Sequence, residues 1–303
     1  MPRKSRRPPP PTRSATPKND PFLLDEFSHR DLGTWKRNSA LLSEYRVKQF
    51  YELESLREIH RAALSDALRA QGQVSIEVKG WTRIVDYRYA LEPLSAKGSV
   101  EKGGRFNIGR ELDFDIFAPF PALYLASNYD TAYAERFASP LPDSPLQPHE
   151  LALRTSRSFA SVALTGKING LFNLCDPSTV KEFSQIIGTF SLNKELQQLA
   201  RTLNMKGPLL IHTGKDLYKS LLGNWRDMPM QYGLPSNSQV FARCLKQAGF
   251  EGVIYPSTKG EGECIAFFLD QLDGSDSFVE LLDRPPSQVS ITRLDAETAA
   301  DLY

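Results

Sequence analysis

"ALYLASNYDTAYAER", residues 122–136, changes its periodicity partway along. In the first half Leu123 and Leu125 alternate with Tyr124, and in a strand that puts the tyrosine on the face opposite the two leucines. Ser127 and Asn128 turn the chain, and a helix follows that Asn128 or Asp130 caps. Within it Ala132 lies one turn before Glu135, and so small a side chain lets that helical face approach a sheet. A short strand that feeds directly into a short helix belongs to a protein that mixes both elements, and with the segments around it the class is α+β. Two readings stand for each polar residue. Tyr124 is core or walls a site, and Glu135 is a solvated carboxylate or lines a cleft.

The flanking sequence agrees with this fold class. From Val74 onward short apolar runs alternate with turns: "VSIEV", "WTRIVDYRYAL", "ELALRT" at 150–155, "SVALTG", "GVIYPS" and "CIAFFL" have strand lengths and β-branched or aromatic content. "STVKEFSQIIGTF" and "NKELQQLARTLN" are helical and form an insertion near 176–235. "SNSQVFARCLKQAG" is a further helix, started by Ser236 or Ser238 and stopped by Gly249. Upstream, Leu41, Leu42, Tyr45, Phe50, Leu53, Leu56, Ile59, Ala63, Leu64 and Leu68 fall near helical spacing without Gly or Pro, which predicts one helix over about 40–70. His60 within it reads as a surface residue. Residues 1–20, "MPRKSRRPPPPTRSATPKND", combine proline with six basic side chains and predict a disordered, solubilising tail, with a partner- or nucleic-acid-binding arm as the alternative. The predicted organisation is a tail over 1–20, a helical N-terminal extension over 21–80 and a catalytic domain over 81–303.

Composition narrows the function. With 41% hydrophobic and 24% charged residues, the chain of 303 is long enough for a large buried core. A formal net charge of +1 gives no case for direct nucleic-acid or acidic-membrane binding by the whole protein. No apolar run is long enough for a bilayer, and the basic N-terminus lacks the apolar stretch of a secretory signal. Cys175, Cys244 and Cys264 are odd in number and far apart, which argues against a disulfide framework and for a reducing, cytoplasmic setting. The four histidines show no metal-ligand spacing, so no metal is expected.

Two further segments carry candidate chemistry. "GGRFNIGR", residues 103–110, places Arg105 behind Gly103 and Gly104. Such a loop is a turn, or it is a place where a guanidinium binds a phosphate or carboxylate through paired hydrogen bonds. "GFEGVIYPSTKGEGECIAFF" ends a strand at Tyr255–Pro256 and continues with Ser257 and Thr258, hydroxyls that cap backbone amides or bind a ribose or phosphate. No G-x-S-x-G surrounds Ser257, which argues against a serine hydrolase.

Taken in order, "YRYALEPLSAKGSVEKGGRFN", "ALYLASNYDTAYAE", "SQVFARCLKQAGFEGVIYPST" and "AFF" resemble the RES domain family, named for an Arg, a Glu and a Ser in its pocket. The resemblance covers about residues 81–270. It implies an ADP-ribosyltransferase-like mixed core with two small sheets around a cleft. It also implies that NAD is bound and cleaved as substrate, with no cofactor. Because many relatives are toxins of bacterial toxin–antitoxin pairs, it implies a co-encoded antitoxin as partner. On this resemblance the Arg falls on Arg105, the Glu on Glu135, the Ser on Ser257 and the pocket tyrosine on Tyr124. An upstream arginine in the strand before the loop falls on Arg88. Arg105 would bind the diphosphate, Tyr124 flank the nicotinamide, Ser257 position the ribose and Glu135 stabilise a cationic ribosyl transition state. Two functional alternatives accompany this reading: an ADP-ribosyltransferase acting on a protein or small molecule, and a non-catalytic nucleotide-binding or interaction module. The long N-terminal helix and the insertion make the chain larger than the compact toxins.

Overall fold

The computed structural model describes residues 29–137, 158–205 and 209–303. The predicted tail over 1–20 and the predicted strand at 150–155 lie outside the described residues. The chain begins with α1 (His29–Ile59) and α2 (Arg61–Arg69), where one helix over 40–70 was expected. The break falls at His60, which leaves helical geometry at φ −99° and ψ 13°. Its half-buried ring stacks on Phe190 with centroids 5.3 Å apart. No Gly or Pro marks this joint, and the ring packed against it comes from a distant part of the chain. Residues 33–40 of α1 are exposed, with Trp35 56% accessible, and the first buried side chain of the helix is Tyr45.

Seven strands follow, β1 (Val74–Asp86), β2 (Ala122–Ala126), β3 (Phe159–Asn173), β4 (Gly252–Pro256), β5 (Glu263–Phe268), β6 (Phe278–Leu281) and β7 (Arg293–Leu294). Because β1 starts at Val74, the helical extension ends before residue 80. Two separate small sheets were expected, and the structure has one seven-stranded sheet in the order β1-β2-β5-β4-β3-β6-β7. In addition β1 pairs with β3 along most of its length, so β1, β2, β5, β4 and β3 form a closed circuit of ladders. The closure depends on two long strands that bend. β1 shifts register between Lys79 and Trp81, around Gly80 at φ 69°, and β3 passes through Gly166 at φ 148°. Glycine tolerates both conformations because it has no Cβ. Beyond the bends, Thr82 pairs with Ala126 of β2, and Leu171–Asn173 run parallel to β4. These two joints unite what would otherwise be separate sheets.

Apolar side chains line both faces of this sheet. Leu123, Leu125, Leu164, Ile168, Ile254, Ile265 and Phe267 form one core. Phe106, Ile108, Phe172, Phe241, Phe250, Val253 and Phe268 belong to the other, which also receives the helices. There α9 (Asn237–Gln247) starts at Ser236 with a capping box closed by Gln239, and Gly249 follows its end at φ 86°. The insertion, which includes α5 (Lys181–Ile187) and α6 (Lys194–Thr202), docks by aromatic edges. Phe183 meets Phe241 at 5.2 Å and Phe241 meets Phe172 at 5.6 Å, both near perpendicular. Such pairs add about 0.5–1.5 kcal/mol each beyond area burial. Tyr45 of α1 packs with Leu192, Leu196 and Ala200 of the insertion. The two additions to the domain therefore support each other.

Candidate active site

A cavity of about 490 Å³ opens between β1, β2, the end of α3 (Lys97–Lys102) with the loop that follows it, and α4 (Tyr129–Phe137). Its floor is the glycine-rich loop. Gly103 has φ 61°, and a Cβ on Gly104 would collide with the Tyr124 hydroxyl and Asn107 Oδ1. Glycine is required here by close approach of a side chain. Asn107, fully buried, donates to the carbonyls of Ser99 at 2.8 Å and Phe120 at 3.1 Å and accepts from Tyr124 Oη at 2.9 Å. Buried Gln239 donates to the Gly104 and Asn107 carbonyls at 3.2 and 3.0 Å. The loop is thus held by buried, satisfied polar groups, which is the condition for a rigid site.

Tyr124 faces away from Leu123 and Leu125, as its alternation predicts, and lines the cavity. Its hydroxyl also accepts from the Phe106 amide at 3.0 Å, and burial holds the phenol protonated well above its usual range. The ring is therefore available to a ligand while the hydroxyl serves the loop.

Glu135 reaches the cavity from α4, which is capped by Asn128 through a 2.8 Å bond from the Thr131 amide. Its Oε1 accepts from Ser257 Oγ and from the Thr258 amide, each at 2.7 Å. Ser257 Oγ in turn accepts from the amides of Lys259 and Gly260 at 3.2 and 2.9 Å. A hydroxyl has one donor and two acceptor sites, so Ser257 is fully occupied in holding Glu135 and the following turn.

Arg105 is 9% exposed. Its Nη1 donates to the carbonyls of Leu221 and Gly223 at 3.2 and 2.6 Å, at the C-terminal end of α7 (Gly214–Leu222). Its Nη2 donates to Thr258 Oγ1 at 2.9 Å. Three of the five N–H groups of this guanidinium are thereby engaged. Arg105, Glu135 and Ser257, far apart in sequence, meet through Thr258.

Arg88 does not lie in a strand. It sits in the 3-10 turn Tyr87–Tyr89 just after β1, its side chain 58% exposed and stacked over the Tyr89 ring at 4.6 Å, and it lines the cavity. The strand arginine is Arg83, half-buried in the cavity wall. It donates to the carbonyls of Ser95, Pro93 and Tyr124 at 2.7, 2.9 and 3.1 Å, and burial lowers its pKa. An arginine in phase with Trp81 and Val85, on the same face of β1 by the two-residue period, was the available signal for it.

The cavity is strongly basic, although the whole chain carries only +1. Arg83, Arg88, Lys102, Arg105, Arg136, Arg226 and Lys259 line it against two carboxylates, Asp86 and Glu135. Asp86 is ion-paired with Arg136 and lies 3.9 Å from Arg88. Glu135 is the carboxylate held by hydroxyl and amide donors. Loss of water, with Arg105 and Arg136 nearby, pushes the Arg226 pKa down. Loss of water likewise lowers Lys259, while Glu135 pulls it back up. Mutual repulsion among cations of this kind is relieved by a bound polyanion. Among the described residues no group of histidine, cysteine and carboxylate could hold a metal ion, and no helix is long and apolar enough to cross a membrane.

No curated protein matches this chain. Among solved structures, the crystal structure of the M. tuberculosis MbcT–MbcA toxin–antitoxin complex is similar at 14% identity, with 79% of this chain and 96% of that chain covered and a TM-score of 0.41. The RES domain model matches residues 81–285, which contain the glycine loop, Tyr124, Glu135, Ser257 and the cationic wall, and this chain belongs to the RES domain family.

Proposed function

We propose that the protein cleaves NAD at the nicotinamide–ribose bond and passes the ADP-ribosyl group to a small acceptor, water or phosphate. The observation that carries this reading is Glu135, a carboxylate fixed by Ser257 and Thr258 in a cavity otherwise rich in cations. NAD fits both features, with a diphosphate for the cations and a ribosyl carbon that becomes cationic for the carboxylate.

In the reaction the bond from ribose C1′ to the pyridinium nitrogen breaks and its electron pair goes to the nitrogen. Nicotinamide leaves neutral, so no acid is needed to protonate it. That removes the requirement for the pair of carboxylates used in ordinary glycoside hydrolysis. It also agrees with Asp86 being ion-paired. Glu135 stabilises the positive charge developing on the ribosyl group. Its orientation is set before substrate arrives, because Oε1 already holds two short hydrogen bonds. The acceptor oxygen then bonds to C1′, and water in that role releases a proton. Tyr124 offers its ring to the cationic nicotinamide. Ser257 acts by positioning Glu135, and Arg105 and Arg88 face the diphosphate. The family's association with toxin–antitoxin pairs makes a cytoplasmic toxin and a co-encoded antitoxin the biological setting to test.

The direct test incubates purified protein with NAD labelled in the adenylate half, with and without phosphate. Nicotinamide released in equal amount to free ADP-ribose, or to its phosphate ester, supports the proposal. Label retained on a protein band would identify a transferase, and absence of nicotinamide release would refute NAD cleavage.

A further inference from the structure

The insertion does more than cover the core. Between α7 and α8 (Asp227–Tyr232) its chain turns into the cavity, and Trp225 and Arg226 join the lining. The Arg226 guanidinium lies over the Trp225 ring at 4.6 Å, which fixes a long side chain that would otherwise lose considerable entropy on binding a ligand. No carboxylate among the described residues forms an ion pair with Arg226. Its charged neighbours in the cavity are Arg105, Arg136, Lys259 and Glu135, so the surroundings are net positive.

Arg105 explains how this connector is held. Both Nη1 bonds go to the end of α7, to the Leu221 and Gly223 carbonyls, two residues before Trp225. Carbonyls in the last turn of a helix lack intrahelical partners and attract cations. Arg105 thus gives Nη1 to the connector and Nη2 to Thr258 on the cavity side, while Arg226 pairs with no carboxylate among the described residues.

We propose that Arg226, supplied by the insertion and held by Trp225, is a specificity-determining contact for the diphosphate of the substrate, with Arg105 positioning the connector that carries it. The inference rests on the NAD reading for the substrate's name and on the cavity's geometry for the anion. A charge-assisted contact of this kind, once lost, weakens binding by about tenfold or more.

The test compares Arg226→Gln and Arg226→Lys with the parent and with Lys215→Gln, an exposed cation on α7 that does not line the cavity. Two readouts are used: the kcat and KM for NAD, and calorimetric binding of inorganic pyrophosphate at two salt concentrations. We expect Arg226→Gln to raise KM about tenfold or more with a smaller change in kcat, and to weaken pyrophosphate by a similar factor. Arg226→Lys should recover part of the loss, and Lys215→Gln should match the parent. Equal melting temperatures establish that folding is unchanged. Parental KM and parental pyrophosphate affinity in Arg226→Gln would overturn the proposal, as would a parent that binds no pyrophosphate. If the parent releases no nicotinamide, the NAD reading fails, and pyrophosphate binding alone decides the role of Arg226.

Discussion

Replacing Glu135 by glutamine removes one charge at nearly constant shape, and the structure sets the size of the effect. Glu135 Oε1 accepts two 2.7 Å hydrogen bonds that a glutamine amide oxygen can also accept, so the side chain stays in place. Exchanging charge-assisted for neutral bonds costs about 1 kcal/mol. In a chain of this size that lowers the melting temperature by about 2 °C. The transition state loses more. Opposite unit charges about 4 Å apart at an effective dielectric of about 20 attract by about 4 kcal/mol. Losing that attraction slows the chemical step by about a thousandfold. Substrate affinity moves the other way. The cavity holds seven cations, and removing one of its two carboxylates makes it more positive, so KM for an anionic dinucleotide stays level or falls. Chromatographic quantification of nicotinamide over a range of NAD concentrations separates kcat from KM. A kcat within about threefold of the parent in a folded Glu135→Gln protein would refute the role of this carboxylate.

Other expectations follow from the same geometry. Arg105→Lys keeps the charge but cannot reproduce the bonds to Leu221, Gly223 and Thr258, so both melting temperature and NAD affinity should fall, the latter by about tenfold or more. Thermal unfolding and KM measure the two losses. Gly104→Ala places a Cβ against Tyr124 and Asn107 and should destabilise the fold by about 1–3 kcal/mol in denaturant titration. Lys259 is held below the ordinary lysine range by loss of water. Pyrophosphate affinity should therefore decline on the alkaline side, as pH rises through the lowered pKa. Its contribution to stability has the opposite sign, because between the folded and unfolded pKa values the unfolded state binds more protons and stability rises with pH. Calorimetric binding and unfolding over the same pH series test both, and Lys259→Gln should flatten them. Removing residues 1–20 should leave turnover and melting temperature unchanged, since their composition offers nothing to bury.

Local signals in the sequence determined a great deal about this protein. Alternation around Tyr124 set it on the face opposite Leu123 and Leu125, the start signals at Asn128 or Asp130 and at Ser236 or Ser238 fell at helix N-termini, and Gly249 marked a stop, because each effect acts over a few residues. The order of motifs was enough to bring Arg105, Tyr124, Glu135 and Ser257 forward as a set. Tertiary structure decided what each of them touches. Arg105 bonds to a carbonyl 116 residues away, and Ser257 to a carboxylate 122 residues away. No local pattern encodes such partners. Closure of the sheet depended on β1 finding both β2 and β3, the setting of His60 on a ring from the insertion, and the basic cavity on cations from β1, the 102–105 segment, α4, the insertion and the 257–260 turn. A near-neutral sequence carries a strongly charged site when folding gathers cations that are scattered along the chain.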